Sequence, residues 1–115
     1  MTRTVDHHFR NKPPQLRQTY EALIARLRQL GPLRVDVVNS SINLVSKFHF
    51  GGVSVRQDYL RVGFLSDRVI ENQRIVRTEK LGPGMVAHSV IIRSSGDVDD
   101  DLMVWLKKAY MRQSR

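Results

Sequence analysis

The 115-residue chain contains no cysteine, which excludes disulfides, thiolate metal sites and cysteine nucleophiles together. It has no apolar run near the roughly 20 residues that a membrane-spanning helix needs. Its first residues, with Asp6, His7 and His8, lack the apolar core of a signal peptide, so a cytoplasmic protein without a membrane partner is expected. Aromatic residues are scarce at 7%, and only Tyr59 falls on an outward strand position, so a base-stacking platform for single strands lacks its material. The chain has no Gly-x-Ser-x-Gly elbow, Walker glycine loop or dinucleotide glycine fingerprint. A calcium loop needs ligands at alternate positions followed by a glycine and a later glutamate, and Leu102 follows the aspartates at 97, 99, 100 and 101 instead. No two histidines stand four apart on one helical face. No metal or cofactor is expected, and no catalytic residue can be named by motif.

What the chain has in plenty is positive charge, formally +8 with a pI near 10.6. Basic residues outnumber acidic ones in the first 31 residues, whereas the two balance from 94 to 115, so the excess is expected in the first helix, its leader and the sheet. An apolar content of 41% at this length supports one folded domain spanning 1–115, with residues 1–8 as a loose leader.

Periodicity supplies the elements. Leu16, Tyr20, Leu23, Leu27 and Leu30 alternate spacings of four and three after Pro13 and Pro14, which suit a helix's first turn. Strands are expected at 33–38, 42–48, 53–56, 59–65, 74–81 and 85–93, with Leu60, Val62 and Phe64 on one face and Val86, His88, Val90 and Ile92 on another such face. Ser94 and Asp97 have capping-box spacing and are expected to open a last helix whose stripe is Val98, Leu102, Trp105, Leu106 and Ala109. Its aspartates meet the positive end of the helix dipole, and Lys107, Lys108 and Arg112 the negative end. Short connections between strands favour hairpins over crossover helices. The expected fold is therefore α+β, a two-layer sandwich in which N- and C-terminal helices cover one face of a largely antiparallel five- or six-stranded sheet.

The ordered succession of residues 8–17 (HFRNKPPQLR), the Gly31-Pro32-Leu33-Arg34-Val35 corner, His88, Asp99-Asp100-Asp101-Leu102, Trp105-Leu106 and Ala109-Tyr110 resembles a bacterial family, domain of unknown function 5655, from about residue 5 to 110. The resemblance implies no established activity. Similar proteins commonly have glycine at the position of Asn11, and often a second histidine at that of Ser89.

Two functional readings follow. The first is a non-enzymatic binding or regulatory module for a small anionic ligand or a protein partner, with His8, Lys12, Lys47 and His88 gathered at one edge of the sheet. There His88 would have a pKa lowered by neighbouring cations and burial, would respond to anions, and would be dispensable to the fold. Its shared face with Val90 and Ile92 also fits a plain hydrogen-bonded core histidine. The second is sequence-independent nucleic-acid binding across the outward sheet face, with Arg61 and Arg93 among the contacts. An enzyme using His88 as acid or base is a third, for which spacing names no partner carboxylate or nucleophile.

Overall fold

The structure, a computed structural model, describes residues 4–115. A short helix and a long one lead into six strands and a final helix. These are α1 (Val5–Phe9), α2 (Pro14–Arg28), β1 (Arg34–Val37), β2 (Ile42–Val45), β3 (His49–Val55), β4 (Leu60–Ser66), β5 (Ile75–Gly82), β6 (Met85–Ile92), a single 3-10 turn (Ser95–Asp97) and α3 (Asp100–Arg112). All strand pairs are antiparallel, in the order β1-β2-β3-β4-β6-β5. The fold is the expected α+β sandwich.

The register shows why the strands alternate as they do. Ile42, Val53, Val62 and Val90 lie directly across from one another, and Leu60 faces Ile92. All are fully buried and form one core with Leu16, Leu23, Leu27, Leu102 and Leu106 of α2 and α3. Each such aliphatic side chain contributes roughly 1.5–3 kcal/mol by leaving water. Among the described residues no helix covers the opposite sheet face, where Asn43, Gly52, Arg61, Gly63 and Ser89 are half-buried.

Three local differences from the sequence reading have physical causes. The expected loose leader lies partly outside the described residues, at 1–3, but Val5–Phe9 is helical. Val5 and Phe9, four apart, both pack against the core. The Phe9 ring meets Tyr20 at 5.3 Å between centroids, and Asp6 pairs with Arg17 at 2.6 Å. Secondly, the capping box of Ser94 and Asp97 closes the 3-10 turn and not α3. The cap of α3 is Asp99, whose carboxylate accepts the Leu102 N–H at 3.0 Å. Thirdly, β5 follows β4 in the chain but pairs only with β6, so residues 67–74 must cross β6 to reach the sheet edge. β4 and β5, both antiparallel to β6, run parallel to each other, so these eight residues also return from the level of Val86 to that of Val90. Two strand spacings across and four residues back make about 16 Å, which eight residues span with length to spare.

Among the described residues no helix is long and apolar enough to cross a membrane.

Candidate functional site: a basic cleft beside the last helix

The crossover segment is held on the helical side of the sheet. The His88 Nε2 accepts the Ile70 N–H at 3.0 Å, and Arg74 bonds the Asp99 carboxylate at 2.7 Å and the Asp97 carbonyl at 2.9 Å. Between this segment and α3 lies a cleft of about 880 Å³, within the usual size of small-molecule sites.

One wall of the cleft belongs to α3. Val104, Lys107, Lys108, Met111 and Arg112 follow the i, i+3, i+4, i+7, i+8 pattern of a single helical face, and Arg115 continues it past the helix end. The opposite stripe of α3 (Leu102, Met103, Leu106, Ala109 and Tyr110) is buried. The helix thus has two apolar-bearing faces, one in the core and one turned to the cleft, where Val104 and Met111 remain 50% and 46% exposed. Ile70, Leu65 and Trp105 complete the apolar lining.

The charges are one-sided. Arg68, Lys107, Lys108, Arg112 and Arg115 line the cleft against a single carboxylate, Asp67. That carboxylate is paired with Arg68 at 3.2 Å, and the bond holds its pKa below the usual carboxylate value. Among the described residues Lys107, Lys108 and Arg115 have no ion pair. The Arg112 guanidinium donates to the Gly84 carbonyl through Nη2, while its buried Nη1 has no partner. Unbalanced cations around a concave surface with an apolar floor attract anions.

His88 stands behind this cleft and is 1% exposed. Its ring stacks on Phe64 (5.4 Å, 17°), and Phe64 stacks on the lining residue Trp105 (5.8 Å, 15°). Since Nε2 accepts from Ile70, the neutral ring carries its proton on Nδ1, which has no partner. Burial alone lowers its pKa, with no contribution from the cations expected at the sequence level. A residue so enclosed holds the crossover segment through the Ile70 N–H, as a hydrogen-bonded core histidine does.

The other sequence-derived candidates disperse. His8 donates from Nε2 to the Val38 carbonyl at 2.8 Å, and Lys12 reaches Gln57 at 3.4 Å. Both partners lie in turns beyond the end of the sheet marked by Ile42 and Leu60. Lys47 sits at the opposite end, its ammonium 5.6 Å from the Phe48 ring centroid. On that side the cross-strand row runs Leu44, Gly51, Phe64, His88, so three strand spacings, about 14 Å, separate β2 from β6. The four residues form no common site. Arg61 and Arg93 do share the outward face, since Arg61 pairs with Ile91 and Arg93 lies two residues further along that face. The Arg93 guanidinium covers the Tyr59 ring at 5.5 Å.

The cleft residues were missed because Lys107, Lys108 and Arg112 had already been given a role in dipole matching. The signal that finds them is the four-and-three spacing of Lys108, Arg112 and Arg115, a second stripe on the same helix.

The chain matches the family described as Domain of unknown function (DUF5655) over residues 5–113. It belongs to that family. No curated protein and no solved structure matches the chain, so within this DUF5655 domain function has to be argued from the site itself.

Proposed function

We propose that this DUF5655 protein is a non-enzymatic binding module for an amphipathic anion, held in the cleft between α3 and the crossover segment. The observation that carries the reading is the set of unpaired cations, Lys107, Lys108 and Arg115, beside an exposed apolar strip of Val104 and Met111. Cations alone describe many solvated surfaces. Cations flanking uncovered apolar side chains in a concavity fit a ligand with a charged head and an apolar body. Binding of a protein partner through the same cleft would use the same chemistry, presented by an acidic segment with an apolar residue. A cytoplasmic location is consistent with this reading.

Sequence-independent nucleic-acid binding across the outer sheet face draws less from the structure. Of the arginines there, Arg93 is engaged with Tyr59 and Arg77 with Glu79 at 3.7 Å. Such binding would weaken steeply with salt, and cleft binding only modestly.

Thermal unfolding with hexyl phosphate and with inorganic phosphate tests the reading. Hexyl phosphate is expected to raise the Tm more than phosphate does, since a ligand at 100 times its Kd adds roughly 2.7 kcal/mol. The Lys107→Gln/Lys108→Gln variant is expected to lose most of that response. Equal responses to the two compounds, or an undiminished response in the variant, would refute it.

A further inference from the structure

The uncovered sheet face carries a second concavity, of about 540 Å³, and its floor is two glycines. Gly52 on β3 and Gly63 on β4 lie directly opposite one another, in a row that continues to Asn43 on one side and to Ser89 on the other.

Neither glycine has an internal reason to be one. A methyl group at Gly52 would meet nothing closer than the Ile42 carbonyl at 3.5 Å, and at Gly63 nothing closer than the His88 carbonyl at 3.6 Å, both ordinary contacts. Neither has a positive φ. Gly51 is the contrast, since a Cβ there would lie 2.5 Å from the Gly63 carbonyl oxygen. Glycine inside a strand weakens it and commonly marks a place where a ligand or another backbone comes close. Here two such residues are paired on the sheet face opposite α2 and α3, which no helix among the described residues covers.

The surroundings narrow the occupant. A floor of bare peptide planes is flat and favours a flat ligand. Asn43 and Ser89 offer an amide and a hydroxyl at its margins. Arg61, in the adjacent row, borders the floor and has no ion pair among the described residues, while the carboxylate of Glu79 faces Arg77. We propose that this face binds a planar aromatic anion, its ring on Gly52 and Gly63 and its charge on Arg61. The site is separate from the cleft beside α3 and does not depend on it.

Amide chemical-shift titration with 1-naphthoate, against neutral 1-naphthalenemethanol, tests this on the full chain. Naphthoate is expected to move the amides of Gly52, Gly63 and Ser89, and to do so equally in the Lys107→Gln/Lys108→Gln variant, which separates this site from the cleft. Arg61→Gln is expected to reduce naphthoate binding to the level of the alcohol. Gly52→Ala and Gly63→Ala are expected to keep or raise the Tm while weakening naphthoate by about ten-fold, the scale of one misplaced methyl group at a packed contact. Either alanine variant lowering the Tm by several degrees would make the glycines structural and overturn the proposal. So would shifts confined to the α3 cleft, or none at these three amides at millimolar naphthoate.

Discussion

At the scale of single residues, His88 shows how far alternation reaches. Its face was legible, because Val86, Val90 and Ile92 share the two-residue period and all are buried. Its hydrogen-bond partner was not legible, because that partner is a backbone N–H, Ile70, in a segment without periodicity. His88→Ala removes a buried ring and strands that N–H, so it is expected to cost about 2–4 kcal/mol in denaturant unfolding. The pH dependence follows from the same burial. With the folded pKa held below the ordinary 6.5, the unfolded chain takes up a proton before the folded chain does. The contribution is fully present above about pH 6.5, falls by at most about 1.4 kcal/mol per pH unit as pH drops toward the lower folded value, and then levels off. Comparing urea midpoints from pH 7.5 to 5 is expected to show this slope in the wild type and a shallower one in His88→Gln. Asn11 is a second residue-scale case. It sits at φ 60°, a conformation that asparagine tolerates and glycine adopts freely. Asn11→Gly is expected to leave stability unchanged within about 0.5 kcal/mol, and Asn11→Val to cost about 1–2 kcal/mol.

At the scale of elements, the six strands and the two long helices were legible to within a few residues, α1 was not, and the start of α3 was misplaced because two local signals competed there. Ser94 with Asp97 and Asp99 with Leu102 are both capping arrangements, five residues apart. Sequence spacing favoured the first, yet Val98 takes a non-helical backbone between them, so the first box closes a separate turn. Asp99 also holds Arg74, which ties the start of α3 to the end of the crossover segment. Its pKa is lowered, chiefly by the Leu102 N–H and also by Arg74. Asp99→Ala is expected to cost about 1 kcal/mol or somewhat more, whereas Asp101→Ala, at an exposed position outside the cap, is expected to change stability by less than about 0.5 kcal/mol. Thermal unfolding of the pair checks the distinction. α3 itself shows what a single-stripe reading omits, because the buried face accounts for the core while the cleft face repeats the same spacing with lysine, arginine and two exposed apolar residues.

At the scale of the whole molecule, the two-layer architecture was legible because it follows from composition and period alone. Strand order was not, since β4 and β5 are consecutive strands with β6 between them, and only contacts distant in sequence decide that. Net charge was legible too, and its excess does lie before residue 94, but a balance over a segment does not say which surface its charges face. From 94 to 115 acidic and basic residues cancel in number, yet the aspartates gather at the start of α3 and the cations beyond its middle. That polarity was legible along the helix; that its cationic half faces a cleft was not, because the other wall comes from residues 65–70. The central claim is that this half of α3, with the crossover segment, receives an amphipathic anion. The most direct measurement is the map of backbone amide shifts on titration with hexyl phosphate. Saturable shifts concentrated at residues 67–70 and 104–115, lost in the Lys107→Gln/Lys108→Gln variant, are the expected result; shifts scattered over the basic surface without saturation, or centred elsewhere in the fold, would contradict it.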